Sequence, residues 1–178
     1  LNTGPGIDAI AVAGNYIYVA NTSINSQLEI IDIANPLIPI LIKNYKLPNI
    51  SGTNAVAHSI FYQDEKVYLG TVKTTGPEFN IIDVTNKVSP QFLGSYEANT
   101  EINNILVDRG VAYITTPNQQ QLRLLDISNP NMPILASTFS DSGFEAQDGR
   151  SIDVLGNNVF FGRTVGGFNN PSNHELYN

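Results

Sequence analysis

Leu28-Glu29-Ile30-Ile31-Asp32-Ile33-Ala34-Asn35-Pro36-Leu37-Ile38-Pro39 decides the fold, because the chain carries three versions of it. It returns as Phe79-Asn80-Ile81-Ile82-Asp83-Val84-Thr85-Asn86-Lys87-Val88-Ser89-Pro90 and as Leu122-Arg123-Leu124-Leu125-Asp126-Ile127-Ser128-Asn129-Pro130-Asn131-Met132-Pro133. The anchoring residues Asp32, Asp83 and Asp126 are 51 and 43 residues apart. That period belongs to stacked or radial repeats, in which one supersecondary unit is laid against the next.

Upstream of each anchor lies an aromatic block: Tyr16-Ile17-Tyr18-Val19, Lys66-Val67-Tyr68-Leu69 and Val111-Ala112-Tyr113-Ile114, with a fourth copy at Asn158-Val159-Phe160-Phe161. A short apolar run precedes each block, at Ile10, Ile60, Ile105 and Ile152. The intervening pairs Gly14-Asn15, Asp64-Glu65, Arg109-Gly110 and Gly156-Asn157 suit primed hairpin turns, which demand positive φ. One further run follows each Pro, at Ile40, Phe92 and Ile134. No window offers a capped helical stripe.

The pattern predicts an all-β chain with strands at 7–13, 16–21, 28–33 and 40–45 in the first unit. The second uses 56–62, 66–72, 79–84 and 91–96, the third 102–108, 111–116, 121–127 and 134–139, and the fourth begins with 150–155 and 158–164. Four antiparallel strands in such a period make the blade of a β-propeller, where radial repetition limits exposed edges. About three and a half blades are expected, near 7–45, 56–96, 102–139 and an incomplete 150–178. The expected core is Ile10, Val12, Ile17, Val19, Ile31, Ile60, Val67, Leu69, Ile82, Ile105, Val107, Ile114, Leu125, Ile152 and Val159.

Spacing separates the two faces of the disc. Asp32 to Pro39, Asp83 to Pro90 and Asp126 to Pro133 each span seven residues. Asp and Asn side chains bonding nearby amides, with Pro fixing φ, account for such a turn. The connection from aromatic anchor to Asp varies over 14, 15 and 13 residues, and that from Pro to the next anchor over 29, 23 and 27. One face is therefore constant and the other variable, and a binding site is expected on the variable face.

These residues resemble the LVIVD-repeat family of β-propellers. The likeness rests on Gly14-Asn15-Tyr16-Ile17-Tyr18-Val19-Ala20 followed by Leu28 to Pro36 and Pro39, and it recurs in the second and third units from about Ile7 to Phe161. The second unit has Asn86-Lys87 where Asn-Pro is usual, which is expected to weaken that turn. The resemblance implies bacterial or archaeal proteins, often exported or tethered at the cell surface, sometimes behind a pilin-like segment. It implies no agreed enzymatic activity, so no catalytic residues carry over.

Composition narrows the partners. Nine basic against 16 acidic residues give a net charge of −7, which disfavours a phosphate-backbone ligand. Only 14% of residues are charged, and the chain has no cysteine, which excludes disulfides and thiolate metal sites. No apolar run approaches the ~20 residues of a membrane span. An amide- and hydroxyl-rich surface suits an exported protein, so an extracellular, cell-surface or periplasmic location is expected. No cofactor is implied.

Aligned first strands bring Asp8, His58, Asn103 and Arg150 into one column at the variable end of the channel-lining strands. Mixed polar groups there suit a ligand or ion, or a solvated rim; a single His excludes a multi-histidine metal site within these residues. Lys73 and Arg163 follow glycines in the long loops Gly70–Glu78 and Gly162–Glu175, where each either pairs with the following Glu or binds an anion. Asp141, Glu145 and Asp148 gather carboxylates in one crossing, a weak calcium candidate without EF-hand spacing.

The preferred reading is a non-enzymatic extracellular or cell-surface binding or adhesion module, taking a protein or polysaccharide ligand on the variable face. The alternative is a channel-mouth hydrolase or lyase using His58 with Arg150 or Arg163. Open blade flanks are expected to be completed by remaining blades of the same propeller or by a second copy.

Overall fold

Each apolar–aromatic pair forms a hairpin because its two-residue turn accepts left-handed backbone. Gly14 and Gly156 adopt φ of 55° and 64°, and Arg109-Gly110 adopt 47° and 77°. In the second unit Asp64 and Glu65 take this conformation without glycine, at 50° and 57°. The computed structural model describes residues 4–117, 120–140, 148–164 and 176–177.

The first sheet comprises β1 (Ile7–Ala13), β2 (Tyr16–Ser23), β3 (Ser26–Asp32) and β4 (Ile40–Tyr45). The second comprises β5 (Ala57–Gln63), β6 (Lys66–Thr71), β7 (Phe79–Asp83) and β8 (Gln91–Tyr96). The third has β9 (Asn104–Asp108), β10 (Val111–Thr115), β11 (Leu122–Asp126) and β12 (Ile134–Phe139). In the fourth, β13 (Gly149–Leu155) and β14 (Asn158–Arg163) are joined by the two-residue β15 (Leu176–Tyr177). Every sheet is an antiparallel meander in chain order, as the repeat predicts. The chain is all-β among the described residues, a propeller of about three and a half blades.

Two irregularities recur. In β3/β4, β7/β8 and β11/β12 the register shifts after Ile30, Ile81 and Leu124, leaving Ile42, Leu93 and Ala136 unpaired. In β1, β5 and β13 it shifts again at Asp8, His58 and Arg150. Bulges increase local twist and re-aim a side chain, so a device repeated at one position shapes the blades that carry it alike.

The seven-residue turn is built as its sequence predicts. Asp32, Asp83 and Asp126 accept the amides of Ala34, Thr85 and Ser128 at 2.7, 2.7 and 2.9 Å. Asn35, Asn86 and Asn129 accept those of Leu37, Val88 and Asn131 at 3.1, 3.2 and 3.2 Å. The next residue reaches back to the hairpin turn, with the amides of Ile33, Val84 and Ile127 donating to the carbonyls of Asn15, Glu65 and Gly110 at 2.8, 2.8 and 2.9 Å. The Thr85 amide and hydroxyl hold the Asp83 carboxyl below its ordinary range. Its contribution to stability is therefore present above that range and lost as acid protonates it. Lys87, in the usual Pro position, leaves these bonds intact. It pairs with Glu65 and lies 5.3 Å from the centroid of Tyr16 in the preceding blade.

Two cores lie between the blades. Tyr18, Leu28 and Ile30 of the first sheet meet Val67, Leu69 and Ile82 of the second, and Tyr18 stacks on Tyr62 at 4.8 Å. Burial pushes the Tyr18 hydroxyl up to about 12. The small residues Ala9, Ala11 and Ala13 on β1 leave room for those rings. Tyr68, Phe79 and Ile81 on the other side of the second sheet meet Ile105, Val107, Ile114 and Leu125.

Ile10 and Val12 depart from the expected core, at 56% and 58% exposed. They alternate with the three alanines and so point to the side of the first sheet away from the second. Ile17, Ile60, Ile152 and Val159 are half-buried; the other expected core residues are buried.

Close backbone approach between blades gives a direct test. A Cβ on Gly94 of β8 would stand 2.4 Å from the Pro130 carbonyl oxygen and 2.7 Å from the Asn131 carbonyl carbon, in the turn of the next blade. Gly94→Ala is expected to lower stability by about 1–3 kcal/mol in urea denaturation.

Candidate functional site

A bulge at the start of β1, β5 and β13 builds most of the polar column. Asp8, His58 and Arg150 sit in it, and Asn103 occupies the equivalent position immediately before β9. Their partners lie mostly within the protein. His58 Nδ1 is 3.0 Å from Asp8 Oδ2, joining the first two blades, and the two side chains remain 31% and 35% exposed. The Asn103 amide donates to the Gly149 carbonyl at 2.6 Å, joining the third and fourth blades. The Arg150 guanidinium donates to Asp148 at 2.6 Å.

Backbone bonds fix the same seam. The amides of Ile102 and Gly149 donate to the carbonyls of Thr71 and Thr116 in the preceding blade, at 3.1 and 3.0 Å. The Ser59 hydroxyl adds a bond to the Ile102 carbonyl at 2.8 Å. The column thus lies on a rigid frame and combines carboxylate, imidazole, amide and guanidinium groups.

Lys73 and Arg163 occupy different environments. Lys73 is exposed in the loop before β7, whereas Arg163 is buried at 8% exposure at the end of β14, in register with Gly149. Glu78, expected as an ion-pair partner near Lys73, accepts backbone amides instead: Thr74 at 3.3 Å, and Ala98 and Asn99 at 3.0 Å each. Of the calcium candidates, Asp148 pairs with Arg150, while Asp141 and Glu145 lie outside the described residues. No group of three or more His, Asp or Glu side chains suited to a metal occurs among the described residues.

The opposite end of the inner strands contains a cavity of about 420 Å³. Phe61, Leu106 and Val154 supply apolar walls, and Asp108 and Arg109 a polar edge. The guanidinium is engaged by Asp108, the Gly156 carbonyl and Asn157.

A further column was not singled out from the sequence. Gln27, Glu78 and Gln121 each stand five residues before the anchoring Asp, and all are buried. Gln27 accepts the Leu47 amide at 3.0 Å and donates to the Ala55 carbonyl at 2.6 Å, pinning both ends of the crossing to the next blade. Glu78 makes the equivalent bond to Ala98, which follows Asp83 by the same 15 residues as Leu47 follows Asp32. The Gln/Glu/Gln recurrence ahead of the apolar run is the signal that locates it. Gln27→Ala strands a buried amide and a buried carbonyl, and is expected to cost about 2–3 kcal/mol on urea denaturation.

A family model described as LVIVD repeat matches residues 7–46, 75–98 and 103–141. No curated protein is significantly similar in sequence. Among solved structures, the chain is similar to the computationally designed protein Ika4, with TM-score 0.65, 14% identity and coverage of 90% of this chain and 87% of that one. It is similar also to the computationally designed Ika8, with TM-score 0.61, 11% identity and coverage of 88% of this chain and 42% of that one. The chain therefore spans most of Ika4 and less than half of Ika8, and the likeness concerns fold alone.

Proposed function

The chain belongs to the LVIVD-repeat family, and from that premise we propose that it is a non-enzymatic binding or adhesion module, displayed outside a prokaryotic cell or at its surface. The carrying observation is the contrast between the two faces. One is locked in three units by the same Asp and Asn bonds. The other presents loops of differing length around a rigid polar column, which suits recognition of a protein or polysaccharide. The low proportion of charge supports the location outside the cell.

The second reading is a channel-mouth hydrolase or lyase. The His58–Asp8 contact favours it, because a carboxylate at Nδ1 orients an imidazole for proton transfer. Of its two suggested partners, Arg150 is 2.6 Å from Asp148 and remains half exposed, whereas Arg163 is buried at the end of β14.

Glycan-array and pull-down screening of the intact propeller tests the choice. A ligand is expected whose affinity falls about tenfold with Lys73→Glu or Arg150→Ala, while the constant-face substitution Leu37→Ser leaves it unchanged. Absence of any ligand, together with turnover of a substrate abolished by His58→Ala, would overturn the binding reading.

The same proposal includes the partner for the exposed side of the first sheet: further blades of this propeller or a second copy. Ile7, Ile10 and Val12 are 48%, 56% and 58% exposed there, and apolar surface on a blade side is docking surface. Light scattering of the 178-residue chain is expected to show concentration-dependent mass above 19.4 kDa, abolished by Ile10→Lys. A 19.4 kDa particle at all concentrations would exclude the second copy.

A further inference from the structure

Glu78 places a carboxylic acid where the neighbouring units place an amide. Gln27 holds its crossing with an acceptor and a donor at once, to the Leu47 amide and the Ala55 carbonyl. Ionised Glu78 has acceptors only. It is fully buried, and its oxygens face the amides of Thr74, Ala98 and Asn99.

The group facing it across the crossing is a second acid. The Glu97 carboxyl lies beside it, because the Asn99 amide is shared between the two, at 3.0 Å to Glu78 and 3.2 Å to Glu97. Two carboxyls can hydrogen-bond each other only while one carries a proton. The cations nearby are otherwise disposed: Arg123, from the next blade, donates to the Ala98 carbonyl at 2.8 Å, and Lys73 is exposed on the loop before Glu78.

We propose that the Glu78–Glu97 pair is a proton-operated latch on the crossing from the second blade to the third. With one proton shared, the β6–β7 loop and the segment beginning at Glu97 are tied together. Loss of that proton puts two negative charges side by side, one fully buried, and loosens residues 97–103. That segment leads to Asn103 in the polar column, so the latch bears on the geometry of the variable face whatever ligand that face takes.

Burial, and after it Glu97, outweigh the Thr74 and Ala98 amides, which favour the carboxylate, so the Glu78 proton is held more tightly in the folded protein than in the unfolded chain. The latch is therefore closed below the ordinary carboxylate range and is lost as pH rises through the folded value. The crossing after the first blade carries a glutamine and provides an internal control.

Hydrogen exchange on the full chain, corrected for the intrinsic pH dependence of amide exchange, tests this. Between about pH 4 and about pH 8, protection of the Ala98 and Asn99 amides is expected to fall about tenfold relative to Leu47. Glu78→Gln should make Ala98 follow Leu47 at every pH, and Glu97→Gln should move the transition to lower pH. Protection at Ala98 that is independent of pH, or a transition surviving Glu78→Gln unchanged, would overturn the proposal. Should Glu78→Gln fail to fold, the displacement caused by Glu97→Gln decides it, and no displacement rejects the latch.

Discussion

A blade of this propeller can bury both faces only between two neighbours, and the rest of the structure follows from that constraint. The second sheet has apolar residues on both sides, Ile60, Val67 and Ile82 toward the first and Phe61, Phe79 and Ile81 toward the third. Its strands therefore carry near-continuous apolar runs rather than the clean alternation of a one-sided sheet. Small residues occur where the sheets come closest. The alanines of β1 admit the Tyr18–Tyr62 stack, and Gly94 admits the turn of the following blade.

Radial packing brings the starts of the inner strands together, and the bulges there keep polar side chains out of the apolar seams. Asp8, His58, Asn103 and Arg150 come from four separate units, yet each makes a bond that steadies its position. Such a column offers fixed donors and acceptors to a ligand. On the opposite face the same Asp and Asn turn closes the first three units.

The crossings between blades carry the remaining polar load. A strand leaving one sheet for the next breaks the ladder and leaves amides that must find acceptors in a dry environment. Gln27 and Glu78 supply those acceptors from the blade just completed. The two side chains have nearly the same shape and opposite consequences: the amide is indifferent to pH, whereas the acid couples its crossing to protons.

Strand positions, hairpin turns and the Asp–Asn turn were legible in the sequence because each is set by contacts within a few residues. Period-2 patterning, Gly14-Asn15 and its equivalents, and Asp with Asn three residues later are all local signals. The polar column was legible for a related reason, since aligning repeats superposes equivalent positions without coordinates. Tertiary structure alone decided which side of a strand has a neighbour. Ile10 and Val12 share the sequence character of Ile60 and Val67, yet are exposed because the face they occupy is not the one meeting the second blade. The pairing of Asp8 with His58, 50 residues away, and the placing of Glu78 and Glu97 on one shared amide likewise awaited the fold. Local signals fix the backbone of each unit; the direction of twist and the packing of one sheet on the next determine which side chains meet.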